Sequence, residues 1–108
     1  MSKLKNIYRV DKFIVPESSR DEFLSRILDT HKILRVQPGF IQDSVLEHTE
    51  GPGRYNIVTV AEWESQEAIN SAKNVVQAEH AKSGFSPQQI MDRLSVQADI
   101  ANYTRVSE

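Results

Sequence analysis

The sequence predicts an α+β, ferredoxin-like fold: a split βαβ arrangement whose four-stranded antiparallel sheet carries its helices on one face. Three observations predict it. Val58 to Trp63 reads as a strand that ends in the lone tryptophan and runs straight into a helix led by Ser65. Earlier, Tyr8 to Val15 followed by Ser19 repeats that strand-then-helix order. Both units fit within 108 residues, a length for one domain, taken as 1–108.

Each element has its own justification. Ile7 to Val15 carries Tyr8, Val10, Phe13, Ile14 and Val15, side chains suited to a pleated surface, and Pro16 ends it. Ser19-Arg20-Asp21-Glu22 has the form of a capping box, in which hydroxyl and carboxylate satisfy the first helical N–H groups reciprocally. Phe23, Leu24, Ile27, Leu28, His31 and Leu34 then recur at helical spacing until Pro38-Gly39 stops the helix. Phe40 to Glu50 alternates, with Phe40, Gln42, Ser44 and Leu46 on one side and Ile41, Asp43, Val45 and Glu47 on the other. The mixed polarity of both sides predicts an edge strand. Gly51-Pro52-Gly53 turns the chain into the return strand Arg54 to Trp63, which has Ile57, Thr59, Ala61 and Trp63 on one side. Ser65 caps a second helix with an inner stripe of Ala68, Ala72, Val75, Val76 and Glu79, ending at Gly84. Ser86-Pro87-Gln88-Gln89 is a second capping box with proline at the first helical position, and Ile90, Met91 and Leu94 anchor the short helix it starts. Val96 to Val106 is the last strand.

With right-handed crossovers, the first and third strands are central and both main helices cover one sheet face. If Phe13 faces the helices, Tyr8, Val10 and Ile14 face away from them. That second apolar face predicts a homodimer. The formal net charge of −2 and the lack of a basic stripe argue against nucleic acid as a partner. There is no cysteine, which excludes disulfides and thiolate chemistry. Met1 to Asn6 has no apolar run, and no segment approaches the roughly 20 apolar residues of a membrane span. No membrane partner and a cytoplasmic location are therefore expected.

Phe13-Ile14-Val15, Arg20-Asp21-Glu22-Phe23-Leu24, Pro38-Gly39-Phe40, Glu62-Trp63-Glu64-Ser65-Gln66-Glu67-Ala68 and Val96 to Tyr103 together resemble the antibiotic biosynthesis monooxygenase (ABM) superfamily. The resemblance runs from about residue 7 to 106. It implies domains that pair through their open sheet faces into a dimeric α/β barrel. It also implies one of several chemistries: cofactor-free oxygenation of aromatic polyketides or quinols, haem degradation, or isomerisation. The haem-degrading branch carries an Asn on the first strand, a Trp inside the second main helix and a His near that helix's end. Here Asp11 stands near the first position, Ala72 or a small neighbour at the second and His80 near the third, so haem is not expected as a tight ligand. The cofactor-free branch shares a Trp at the end of the third strand, which is Trp63 here.

The candidate site residues follow. Asp11 lies mid-strand among apolar residues, where desolvation turns a carboxylate into a usable base; paired with a Lys or Arg such as Arg105, it is structural instead. His31, on the apolar stripe of the first helix, and His80, one turn after Val76, carry the side chain best suited to exchange protons near neutrality. Otherwise His31 is a helix-buried histidine bonded to a backbone carbonyl, and His80 an exposed helix-end histidine that complements the macrodipole. Trp63 offers a flat wall and an N–H donor, or simply packs the core. Asn102 and Tyr103 face opposite sides of the last strand, and either could donate to a substrate oxygen. The three histidines are dispersed, so no metal site is expected. Glu62, Glu64 and Glu67 read as partners of the helix dipole on a solvated face.

These expectations combine into a homodimeric oxygenase without metal or organic cofactor, acting on a small aromatic phenol or quinol. Asp11, His80 and His31 are its candidate catalytic groups, and Trp63, Asn102 and Tyr103 its candidate substrate contacts. Asp11, His31, Trp63 and His80 are expected to meet in one cavity between sheet and helices. A non-catalytic dimeric module that binds a small hydrophobic metabolite is the rival. A scaffold whose own side chains fill the cavity is a third possibility.

Overall fold

The computed structural model describes residues 5–84 and 86–106. The elements run β1 (Ile7–Ile14), a 3-10 turn (Glu17–Ser19), α1 (Arg20–Leu34), β2 (Phe40–Glu47), β3 (Ile57–Trp63), α2 (Gln66–Lys82), α3 (Pro87–Leu94) and β4 (Gln97–Tyr103). The sheet is antiparallel in the order β2-β3-β1-β4, as the crossovers require. The fold is therefore the α+β, ferredoxin-like one. The strands are shorter than their apolar patterns: β2 ends at Glu47, β3 begins at Ile57 and β4 ends at Tyr103. Met1 to Leu4 of the N-terminal segment lie outside the described residues.

Alternation along β1 and β3 sets the two faces of the sheet. Phe13 pairs with Ile57, Asp11 with Thr59, Arg9 with Ala61 and Ile7 with Trp63, all on the helix side. Two apolar clusters form there. Phe13, Val15, Phe23, Ile57 and Leu94 make one, with the Phe13 and Phe23 rings edge to face at 4.9 Å. Ala61, Trp63, Ile69 and Ala72 make the other, where Phe40 meets Trp63 edge to face at 5.4 Å. Each large side chain buried in these clusters contributes about 1.5–3 kcal/mol. Arg9 and Asp11 interrupt β1 between them, so the strand is apolar at both ends of its inner face and charged in the middle.

A bulge in β2 changes the alternation expected there. The register with β3 shifts between Phe40 and Gln42, so Phe40 pairs with Trp63 and Gln42 with Glu62. One extra residue reverses the side on which every later side chain emerges. Phe40 thus shares the helix side with Asp43 and Val45, whereas Gln42, Ser44 and Leu46 take the open face. Asp43 gains a partner in α1 through this reversal.

The caps correct the sequence in one place. Ser65 accepts from the Ala68 N–H at 3.1 Å and Ser86 from that of Gln89 at 3.4 Å. Ser19 makes no such cap. Its hydroxyl is buried and donates to the Leu94 carbonyl at 2.9 Å, and Glu22 pairs instead with Arg93. The Ser19–Glu22 sequence therefore fastens α1 to α3. Glu62 is a second correction, since it is buried on the open face rather than solvated, accepting from Asn6 at 2.9 Å and Gln42 at 2.7 Å. These donors, Asn6 first, hold its carboxyl below the usual carboxylate range. Among the described residues no helix is long and apolar enough to cross a membrane.

Candidate functional site

A cavity of about 290 Å³ opens between the sheet and the two main helices. Its position follows from side-chain size. Ala61 on β3 and Ala72 on α2 are nearly fully buried yet short, so the helix stands off the strand at that level. Leu34, Trp63, Ile69, Val76 and Pro87 complete the apolar lining. The polar groups are Arg9 and Asp11 from β1, Thr30 from α1, and Lys73, Gln77 and His80 from α2.

Arg9 and Asp11 are two residues apart on one strand, so their side chains emerge on the same side. The Arg9 Nε donates to Asp11 Oδ1 at 2.7 Å, and both groups are half-buried. Asp11 faces the helices and pairs with Arg9, not with Arg105. The Arg105 Nε donates to the Tyr8 hydroxyl on the open face. Arg9, like Thr30, Lys73 and Gln77, is a polar cavity residue absent from the sequence candidates. Its signal was parity, because it occupies the same strand face as Asp11 and Phe13.

His80 sits where α2 passes α1, with Nε2 3.5 Å from the Thr30 hydroxyl oxygen. Burial lowers its pKa from the ordinary 6.5, with the Arg26 charge adding to the effect. The imidazole is therefore neutral at neutral pH. His80 and Thr30 also border a smaller outer groove with Arg26, Asp29 and Glu79, so the histidine lies between the cavity and the surface.

Asp11, Trp63 and His80 thus share the cavity, and His31 does not. His31 is 4% exposed and its Nδ1 lies 2.6 Å from Asp43 Oδ2, with Arg35 on the same carboxylate at 3.1 Å. It lies one residue past Thr30, about 100° around the helix, so it meets β2 while Thr30 meets α2. The β2 bulge, invisible in the alternation, supplies Asp43 as its partner. Asn102 and Tyr103 also lie outside the cavity. Asn102 donates to Gln66 Oε1 at 3.1 Å at the sheet edge. Tyr103 is on the open face, its ring 5.9 Å from Lys12 Nζ. No cluster of metal-ligating side chains occurs among the described residues.

A family model described as antibiotic biosynthesis monooxygenase matches residues 7–83. The chain belongs to the ABM family. That match spans β1 through α2, the elements that build nearly all of the cavity. No curated protein matches the chain by sequence. Solved structures share the ABM fold across almost the whole chain. SnoaB, a cofactor-independent oxygenase from Streptomyces nogalater, is 23% identical over 96% of each chain, with a TM-score of 0.67. MhuD, a haem degrader from Mycobacterium tuberculosis with two haems in its active site, is 23% identical over 94% of this chain and 97% of its own, also at 0.67. A conserved protein from Methanosarcina mazei is 19% identical over 93% and 92%, again at 0.67.

Proposed function

We propose that this ABM protein is a homodimeric monooxygenase that oxidises a small aromatic phenol or quinol with dioxygen and no cofactor. The observation that supports this most is a largely apolar cavity in which one neutral imidazole, one ion-paired guanidinium and one indole face the same space. Such a set can deprotonate a phenol, hold its anion and stack its ring.

The chemistry balances with dioxygen as the oxidant. His80 takes the phenol proton. Arg9, its guanidinium anchored by Asp11, faces the developing oxyanion. Trp63 walls the ring. The phenolate passes an electron to dioxygen, and the resulting pair of radicals joins as a C–O bond at an open ring carbon. His80 returns its proton to the peroxide. Loss of water from the ring hydroperoxide, taking the ring hydrogen, leaves a quinone. One oxygen atom of dioxygen ends in the product and the other in water.

The test is oxygen uptake by the protein with a panel of phenols and hydroquinones, alongside the quinone formed. Uptake matched one to one by quinone supports the assignment. Saturable binding without uptake for every member would leave the metabolite-binding module instead. Haem is expected to fail as a tight ligand. The helix position that carries a Trp in haem degraders falls on Ala72, which is buried, or on a small neighbour, and His80 Nε2 already lies against Thr30. A stoichiometric Soret shift that disappears in His80→Ala would overturn this expectation.

A further inference from the structure

We propose that the ligand of this cavity is an aromatic acid, whose carboxylate sits at the cavity mouth on Lys73 while its ring lies against Trp63. The proposal rests on the cavity being the ligand site and adds the ligand's charge. Ile69, Ala72, Lys73, Val76, Gln77 and His80 form the α2 stripe that lines the cavity. Their spacing of three and four residues is that of one helix face. The other lysine of α2, Lys82, pairs with Glu79 one turn away at 3.3 Å. Among the described residues, no carboxylate pairs with Lys73.

The charge of the cavity points the same way. Its lining holds Arg9, Lys73 and Asp11, with His80 neutral. Asp11 is engaged by the Arg9 Nε. The terminal nitrogens of Arg9 donate to no described residue. The cavity therefore carries one cation in excess, on a site whose remaining walls are largely apolar. A flat apolar body with one acidic group matches that division. Lys73 is exposed and its hold on an anion is screened by salt, so it selects among ligands rather than supplying most of the affinity.

Trp63 is the only tryptophan of the chain, so its fluorescence reports on this cavity alone. The experiment titrates the full-length protein with 1-naphthoate and with uncharged 1-naphthylmethanol at low ionic strength. It repeats both with Lys73→Met, whose side chain is exposed and whose folding is checked by circular dichroism. The expected result is that naphthoate binds about tenfold more tightly than the alcohol. Lys73→Met should abolish that preference without changing the alcohol's affinity, and added salt should erode it in the wild type. Equal affinities for the two ligands, or a preference that survives in Lys73→Met, would overturn the proposal. Quenching by neither ligand would overturn it together with the cavity assignment. Tight naphthoate binding with no oxygen uptake from any phenol would sink the oxygenase assignment alone.

Discussion

At the scale of single residues, the division of labour in the cavity comes from how each group meets water. His80 is desolvated between two helices and stays neutral, ready to accept a proton. Replacing it by Gln is expected to lower turnover by about 10²–10⁴-fold, with ligand binding retained, as read by oxygen uptake and Trp63 fluorescence. The same burial couples His80 to stability. Its folded pKa is below the ordinary 6.5, so the unfolded chain binds the proton more readily. Stability should therefore fall as pH drops from about 6.5 towards the folded value, and His80→Gln should flatten that slope in urea titrations. Gly39 is a second residue with a sharply defined demand. Its φ is +85°, and an added Cβ would sit 2.4 Å from the Cβ of Ala68. Both the dihedral and the contact oppose a side chain. Gly39→Ala should cost about 2–4 kcal/mol, visible as a lowered urea midpoint with an unchanged slope.

Elements differed in how plainly the chain announced them. The helix side of β1 and β3 was legible because strict alternation in Phe13, Val15, Ile57, Ala61 and Trp63 has few physical solutions. That places Asp11 and Trp63 on one face from sequence alone, with His80 following from its spacing to Val76. β2 misled, because a bulge leaves no mark in composition yet reverses every later side chain. The consequence reaches α1: His31 shares a helical stripe with Leu24, Ile27 and Leu28, but plain alternation puts its partner Asp43 on the side that the bulge reverses. The Ser19 box misled for a related reason, since a tertiary acceptor on Leu94 outcompeted the local cap. The His31–Asp43 bond now fastens α1 to the edge strand away from the cavity, with both side chains at most one-tenth exposed. Asp43→Ala should cost about 3–5 kcal/mol in urea denaturation, because His31 and Arg35 lose a buried acceptor. The affinity of the cavity for aromatic ligands should change little, in contrast to Asp11→Asn, which frees Arg9.

At the scale of the molecule, the sheet is finished on only one side. Its open face presents Tyr8, Val10, Leu46, Val58, Val60 and Ala101, with no helix over them. Val60 lies on β3, one of the two central strands, so it stands near the middle of that surface. Asp99 lies on that face at the β4 edge, accepting from the Tyr55 hydroxyl at 3.3 Å, and Glu62 is the face's buried carboxylate. Its hydrogen bonds from Asn6 and Gln42 already satisfy it within one protomer, so covering it leaves no oxygen wanting a partner. A second copy can therefore cover Glu62 without stripping a bare carboxylate, and an obligate pairing of this kind removes about 2,000 Å² or more from water. The chain should sediment as a dimer at micromolar concentration. Val60→Lys should shift it to monomer by placing two like charges in a desolvated centre, and should lower its stability as well, because the exposed face then has no cover. A wild-type chain that sediments as a stable monomer across that range would refute the pairing. A Val60→Lys chain that stays dimeric would place the contact elsewhere on the surface.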